Sequence, residues 1–269
     1  MRNMPANNSL LPDPRVYIGT SGFFYPDWKG VFYISSSNSE DHLLYYSRFF
    51  NALELNFSFY QMPESERLKR FADPALGGMT LSIKAYRGIT HQASDSAVLD
   101  TFLDRIRILE DSGVLKTVLF QFPFAFQETA DAWTLLDRIG RAGGAWVPVV
   151  EFRHSAWFTE TNMIRFRDMG IAICATDMPV LRHLPGCRFH STHPTGYMRF
   201  HGRNASNWWH PREAWERYDY LYSREELLNL LPDVKKWLSK HDDVYIFFNN
   251  HYRGQAVRNA QMLMAFLFD

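Results

Sequence analysis

Three short stretches of the sequence alternate charged or polar residues with apolar ones. Their polar members are Glu54, Asn56, Glu151, Arg153, Arg199, His201 and Arg203. Because a β-strand sends successive side chains to opposite faces, this alternation predicts strands that share one polar face. Ionised groups are rarely buried without partners, since removing each ion from water costs several kcal/mol. The pattern therefore predicts a cluster of paired charges, which is typical of sites that carry out chemistry.

Four residues of the predicted polar face have side chains suited to catalysis. Glu54, Glu151 and His201 could act as general acids or bases. Lys84 could lower the pKa of a carboxylate, or form a Schiff base if it is removed from water. Arginine suits carboxylate and phosphate oxygens, so we expect an anionic ligand. The residues predicted to bind this substrate are Ser21, Tyr25, Trp28, Asn56, Tyr60, Gln121, Arg153, Trp157, Asp177, Arg199, Arg203 and Asn249.

Several of these residues also have a purely structural interpretation. Glu54 and Lys84 could form an internal ion pair, and Arg199 could pair with a carboxylate in a lower layer of the sheet. Cys174 is expected to be an inert buried thiol. The loop aromatics could stack on a base or a sugar, and the pair Trp208 and Trp209 could instead simply cover the site.

Composition narrows the class of protein. The 269 residues include 29 basic and 29 acidic ones, and this zero net charge argues against a protein that coats nucleic acid. The two cysteines form no C-x-x-C pair, which argues against a zinc ribbon or a thiol-redox site. No run of eighteen apolar residues and no signal peptide is present, so we expect a cytoplasmic protein without membrane contact.

Strand-like and helix-like segments alternate along the chain from residue 15. The predicted strands are 15–23, 53–60, 79–87, 117–122, 146–153, 171–177, 197–203 and 244–249. Eight such units predict a single-domain TIM (β/α)8 barrel at residues 15–269, preceded by a flexible arm at residues 1–14. An open doubly wound sheet is the alternative, although no GxGxxG or Walker A motif supports it. In a barrel, functional groups lie at the carboxyl ends of the strands, where the polar residues concentrate.

Seven motifs, in order, carry a resemblance to a known family. They are IGTSGFFYPDWKGVFY, LELNFSFYQMP, SIKAYRGITH, FQFPFAF, EFRHSAWF, YMRFHGRN and YIFFNNHYRGQAVRNAQML. From about Val16 to the C-terminus the chain resembles the DUF72, or YecE-like, family. The resemblance implies a TIM barrel and leaves the activity open, because the function of that family is not established. The N-terminal arm and the histidine-rich stretch 183–193 depart from the family pattern.

Three functional hypotheses follow. The first is an enzyme, such as a hydrolase, that acts on a small anionic or nucleotide-like substrate. The second is a non-catalytic protein that binds nucleic acid or another anionic partner through arginines and loop aromatics. The third is a divalent-metal hydrolase, for which the ligand types would be those of Glu54, Glu151, Asp177, His201 and Asn249. No metal ligand is assigned, because no H-x-H or H-E-x-x-H spacing is present. The cofactor and the oligomeric state stay open.

Overall fold

The computed structural model describes residues 15–34, 39–92 and 96–268. The predicted arm at residues 1–14 lies outside the described residues. The strands are β1 Arg15–Ser21, β2 Ala52–Leu55, β3 Thr80–Lys84, β4 Leu115–Gln121, β5 Val147–Glu151, β6 Ala172–Ile173, β7 Ala175–Asp177, β8 Thr195–Phe200 and β9 Asp243–Phe248. The helices are α1 Ser39–Ser47, α2 Phe57–Tyr60, α3 Ser65–Lys69, α4 Arg87–Thr90, α5 Ser96–Asp111, α6 Ala130–Ala142, α7 Glu160–Asp168, α8 Arg224–Leu238 and α9 Gln255–Phe268.

The strands form one parallel sheet in the order β6-β5-β4-β3-β2-β1-β9-β8-β7. Its two terminal segments are consecutive in the chain and are separated only by Cys174. Ala172 in β6 pairs with Val149 in β5, whereas Ala175 in β7 pairs with Met198 in β8. The predicted sixth strand is therefore broken in two, and its halves join the edges of the sheet into a barrel. The predicted α/β barrel is confirmed.

Strand ends differ from the prediction at the carboxyl side. The predicted second strand continues to residue 60, but β2 ends at Leu55 and the turn of α2 follows. The Ser58 hydroxyl donates to the Lys84 carbonyl at 2.6 Å and so ties this turn to the end of β3. Asn56 and Tyr60 therefore lie beyond the end of β2, and the strand assigned to them is wrong. Arg153, His201 and Arg203 likewise follow their strands instead of ending them.

Apolar side chains fill the space between the sheet and the helices. Phe152 stacks on Trp157 with ring centroids 4.3 Å apart, and both are almost completely buried. The amino-terminal half of the barrel interior holds a separate cluster that includes Leu119, Val149 and Phe247. These two packed regions enclose the polar layer that lies near the carboxyl ends of the strands.

Among the helices of the described residues, none is both long and apolar enough to cross a membrane bilayer.

Candidate functional site

A buried guanidinium joins two carboxylates at the centre of the barrel. Arg199 of β8 places Nη2 2.8 Å from Oε1 of Glu54 and Nη1 2.7 Å from Oε2 of Glu151. Glu54 is the third residue of β2 and Glu151 is the last residue of β5. All three side chains are at most 1% exposed. The alternation of residues in these strands thus produces the cluster of paired charges that the sequence predicts. Burial of the same charges without partners would cost several kcal/mol per ion.

Two further groups contact the other oxygen of Glu151. Nε of Arg153 lies 2.7 Å from Oε1, and Nε2 of His201 lies 3.2 Å from the same atom. Both contacts are at ion-pair distance without being aligned hydrogen bonds. The Asn249 side-chain amide lies 3.1 Å from Nδ1 of His201. With the amide nitrogen donating to Nδ1, the single proton of a neutral ring is on Nε2 and faces Glu151.

The lower side of the cluster is closed by hydroxyl groups. The Tyr197 hydroxyl donates to Oε2 of Glu54 at 2.6 Å and lies 2.8 Å from the Ser82 hydroxyl. Nη2 of Arg199 is 3.3 Å from the Ser21 hydroxyl. Tyr197 and Ser82 were not among the predicted site residues. Each stands two residues before a predicted member of the cluster, so alternation places both on the polar face: Ser82 was expected on that face without being assigned to the site, and Tyr197 could have been identified in the same way.

Burial and neighbouring charges determine the protonation states of Glu151 and His201. Burial alone would raise the pKa of Glu151, but Arg153, Arg199 and His201 outweigh it and hold that pKa well below its ordinary value. Burial and the neighbouring Arg153 lower the pKa of His201 to about 3. At neutral pH, Glu151 is therefore a firmly ionised carboxylate and His201 is a neutral imidazole.

Lys84 is half-buried at the end of β3 and is not paired with Glu54. Its Nζ donates to Oε1 of Gln121 at 2.9 Å and lies 3.9 Å from the centre of the Phe59 ring. The Gln121 amide nitrogen donates to the Phe122 carbonyl, which orients the amide oxygen toward the lysine. Burial, followed by the charge of Arg199, lowers the pKa of Lys84 to about 7. The internal Glu54–Lys84 ion pair considered from the sequence is replaced by the Glu54–Arg199 pair.

Comparison with known proteins agrees with this architecture. The family model described as "Protein of unknown function DUF72" matches residues 17–268. The chain belongs to the DUF72 family. It is 26% identical over 269 residues to the UPF0759 protein YunF of Bacillus subtilis (strain 168), covering 94% of each chain. The DUF72 family protein of Thermotoga maritima MSB8 is 35% identical with a TM-score of 0.84, covering 95% of this chain and 100% of the other. A DUF72 family protein of Enterococcus faecalis V583 shares the fold with a TM-score of 0.80 at 23% identity, covering 94% of this chain and 95% of that one.

A second polar group in this DUF72 protein lies beside the central cluster. The Arg203 guanidinium binds both oxygens of Asp177, at 2.9 and 2.6 Å. The Tyr222 hydroxyl donates to Asp177 at 2.6 Å and accepts from the backbone amide of Gly202 at 2.9 Å. This network fixes the segment after β8, so Arg203 is engaged by Asp177 and is not brought to Glu151.

The predicted aromatic residues of this DUF72 protein differ in their exposure to solvent, and two of them, Tyr25 and Trp28, are in contact with ring centroids 5.2 Å apart. Trp28 and Trp157 are buried, and their indole groups donate to the carbonyls of His251 and Phe126. A ring without a solvent-exposed face cannot stack on a base or sugar, so the structure gives both indoles packing positions. Tyr25 is half-buried, and its hydroxyl donates a hydrogen bond to the Ser21 carbonyl. Tyr60, in contrast, is 68% exposed.

Two observations bear on other ligands. Oδ1 of Asn56 is buried and has no hydrogen-bond partner among the described residues, so it could accept a hydrogen bond from a substrate. Within residues 15–34, 39–92 and 96–268, no three His, Cys, Asp or Glu side chains are arranged to hold a metal ion. Arg199 engages the carboxylates that the metal hypothesis would need, and a guanidinium in this position opposes a cation.

Proposed function

We propose that this protein is an enzyme that binds a small anionic substrate, carrying a phosphate or a carboxylate, at the carboxyl-end mouth of its barrel. The observation that carries this proposal is the charge of the central cluster. Two carboxylates, Glu54 and Glu151, are balanced by the guanidiniums of Arg199 and Arg153. In its protonated form Lys84 adds a further positive charge, and no described carboxylate lies at ion-pair distance from it. The cluster therefore favours an added negative charge.

The upper side of the cluster offers donors for such an anion. The Nε edge of Arg153 faces Glu151, and no described residue forms a hydrogen bond with its two Nη atoms. These atoms form a planar fork that suits two oxygens of a phosphate or carboxylate. Lys84 is half-buried at the carboxyl end of β3, which is the end where the mouth of the barrel lies, so it is placed near a ligand that enters there. Arg153 and Lys84 are thus the proposed anion-binding pair.

The chemistry of the proposed enzyme is proton transfer at Lys84. A general acid or base works best when its pKa is near the working pH, and the pKa of Lys84 is about 7. Glu151, with its lowered pKa, is a weak base that serves to hold Arg199 and Arg153. The hydrolytic reaction expected from the sequence remains a prediction, in which Lys84 would accept a proton from the attacking water.

Calorimetric titration with inorganic phosphate tests the anion site. We expect Lys84→Gln and Arg153→Gln each to weaken binding by about 10-fold or more, because a charge-assisted hydrogen bond contributes about 1.5–3 kcal/mol. Lys116→Gln is the matched control, since Lys116 lies near the start of β4 at the opposite end of the barrel. Equal affinity in all four proteins would refute the proposal.

Binding to nucleic acid is the alternative, supported by the exposed rings of Tyr60 and Trp209. It requires affinity for a single-stranded oligonucleotide that falls steeply with added salt. Phosphate binding that depends on Lys84, together with no oligonucleotide binding, would favour the enzyme.

A further inference from the structure

Lys84 occupies an environment that differs from that of a surface lysine. Lys69 of α3, for comparison, is exposed and lies 2.6 Å from a carboxylate oxygen of Glu66. The Lys84 amine instead faces an amide oxygen and an aromatic ring, neither of which carries a full negative charge. This environment removes much of the water from the amine without supplying a counter-charge.

The charges around Lys84 further disfavour its protonation. Burial is the largest cause of the lowered pKa of Lys84, and the guanidinium of Arg199 is the next largest; Glu151 and Glu54 raise this pKa, and Arg153 lowers it. His91, whose ring centroid lies 5.0 Å from that of Phe59, has a pKa lowered to about 4 by burial and by the charge of Lys84. It therefore adds no positive charge at neutral pH. A substantial fraction of Lys84 is then the free amine, which is the nucleophilic form.

We infer that Lys84 attacks the carbonyl carbon of an aldehyde or ketone that carries the anionic group, so that the substrate class is an anionic carbonyl compound such as a 2-oxo acid or a phosphorylated aldehyde. This inference rests on the proposed function, because Arg153 would hold the anion while Lys84 reaches the carbonyl. The amine nitrogen forms a bond to the carbonyl carbon, giving a carbinolamine. The carbonyl oxygen then leaves as water with the two protons of the amine, and the product is an imine. No oxidant or reductant is needed for this step.

Reductive trapping tests the inference on the full-length protein. Glyoxylate, pyruvate or glyceraldehyde 3-phosphate is added with sodium cyanoborohydride, which reduces an imine to a stable secondary amine. Peptide mass spectrometry then locates the modified lysines. We expect Lys84 to be labelled at least about 10-fold faster than Lys116 with one or more of these compounds, and inorganic phosphate to slow the labelling of Lys84 by competition.

Lys84→Arg separates this inference from the proposed function. Arginine keeps a positive charge at the mouth and cannot form the imine. We expect this variant to bind phosphate and to lose the selective labelling. If the wild type binds phosphate in a Lys84-dependent way but none of the three compounds labels Lys84 faster than Lys116, the imine is refuted and the anion site stands. If Lys84 is labelled selectively but phosphate neither binds nor competes, the amine is reactive and the anionic substrate class is refuted.

Discussion

The guanidinium of Arg199 and the carboxylate of Glu151 meet at 2.7 Å inside the barrel, although 48 residues separate them in the chain. Neither side chain has more than 1% exposure to solvent. The contact joins β8 to β5 across the barrel interior, and Arg199 extends it to Glu54 of β2. A single arginine thus pairs with carboxylates from two distant strands, and the stability of the fold should depend strongly on it.

Removal of Arg199 should destabilise the fold severely. Arg199→Met leaves Glu54 and Glu151 buried without their shared counter-charge, and breaking a buried pair in this way costs about 3–5 kcal/mol. We expect the free energy of unfolding, measured with urea, to fall by that amount. Arg107→Met is the control, because Arg107 is exposed in its ion pair with Asp104 and should change stability by less than about 0.5 kcal/mol. Equal effects of the two substitutions would contradict a buried cluster.

Glu151 should make stability depend on acid pH. Its folded-state pKa lies well below its ordinary value, so the folded chain binds fewer protons than the unfolded chain. The stabilisation is present above the unfolded value of about 4.3 and is lost as pH falls through the folded pKa. We expect wild type to exceed Glu151→Gln in stability at neutral pH and the difference to shrink in acid. A difference that stays constant from neutral pH to below about pH 4 would rule out this linkage.

His201 should remain neutral throughout the physiological range. With its pKa lowered to about 3, its ring should not titrate between about pH 5 and 8, where free imidazole does. Nitrogen chemical shifts measured by NMR should show a neutral ring with the proton on Nε2, and His201→Gln assigns the signals. A His201 resonance that titrates near the ordinary value would show that burial and Arg153 do not control this ring.

Gln121 should control the reactivity of Lys84. Gln121→Glu places a carboxylate beside Nζ and stabilises the ammonium, so the pKa of Lys84 should rise. Competitive labelling with acetic anhydride across pH measures this value, and we expect a wild-type midpoint of about 7 that moves upward in the variant. Labelling of Lys116 provides the internal control and should not change. An unshifted midpoint would mean that Gln121 does not contact the amine in solution.

Part of this site could be predicted from residue order alone. Period-two alternation identified Glu54, Glu151 and Arg199 as inward-facing, because a side chain's face within a strand depends only on its position parity. The strand that it predicted through Asn56 and Tyr60 is wrong, because alternation in 57–60 continues through a segment that folds as a helical turn. Local pattern cannot distinguish a strand from a helical turn here, because the contact that decides between them is the hydrogen bond from the Ser58 hydroxyl to the Lys84 carbonyl of β3.

The aromatic residues show the same limit. Trp28 and Trp157 follow strands, where ligand-binding loops begin, yet their indole donors are used by backbone carbonyls distant in the chain. Whether a loop aromatic faces solvent or the core depends on which helix packs over it, and residue type does not encode that.

The amino-acid sequence by itself determined the barrel, the membership of the DUF72 family and the inward placement of Glu54, Glu151 and Arg199, because strand periodicity and ordered motifs are local properties of the chain. Only the tertiary structure decided which of the buried charged side chains pair with each other. Closure of the barrel through the broken strand at Cys174 and the register of neighbouring strands bring Arg199 to Glu54 and Glu151. The same closure places Lys84 beside the side-chain amide of Gln121. Local sequence does not encode these pairings, because they depend on distances of a few ångströms between strands that are far apart in the chain.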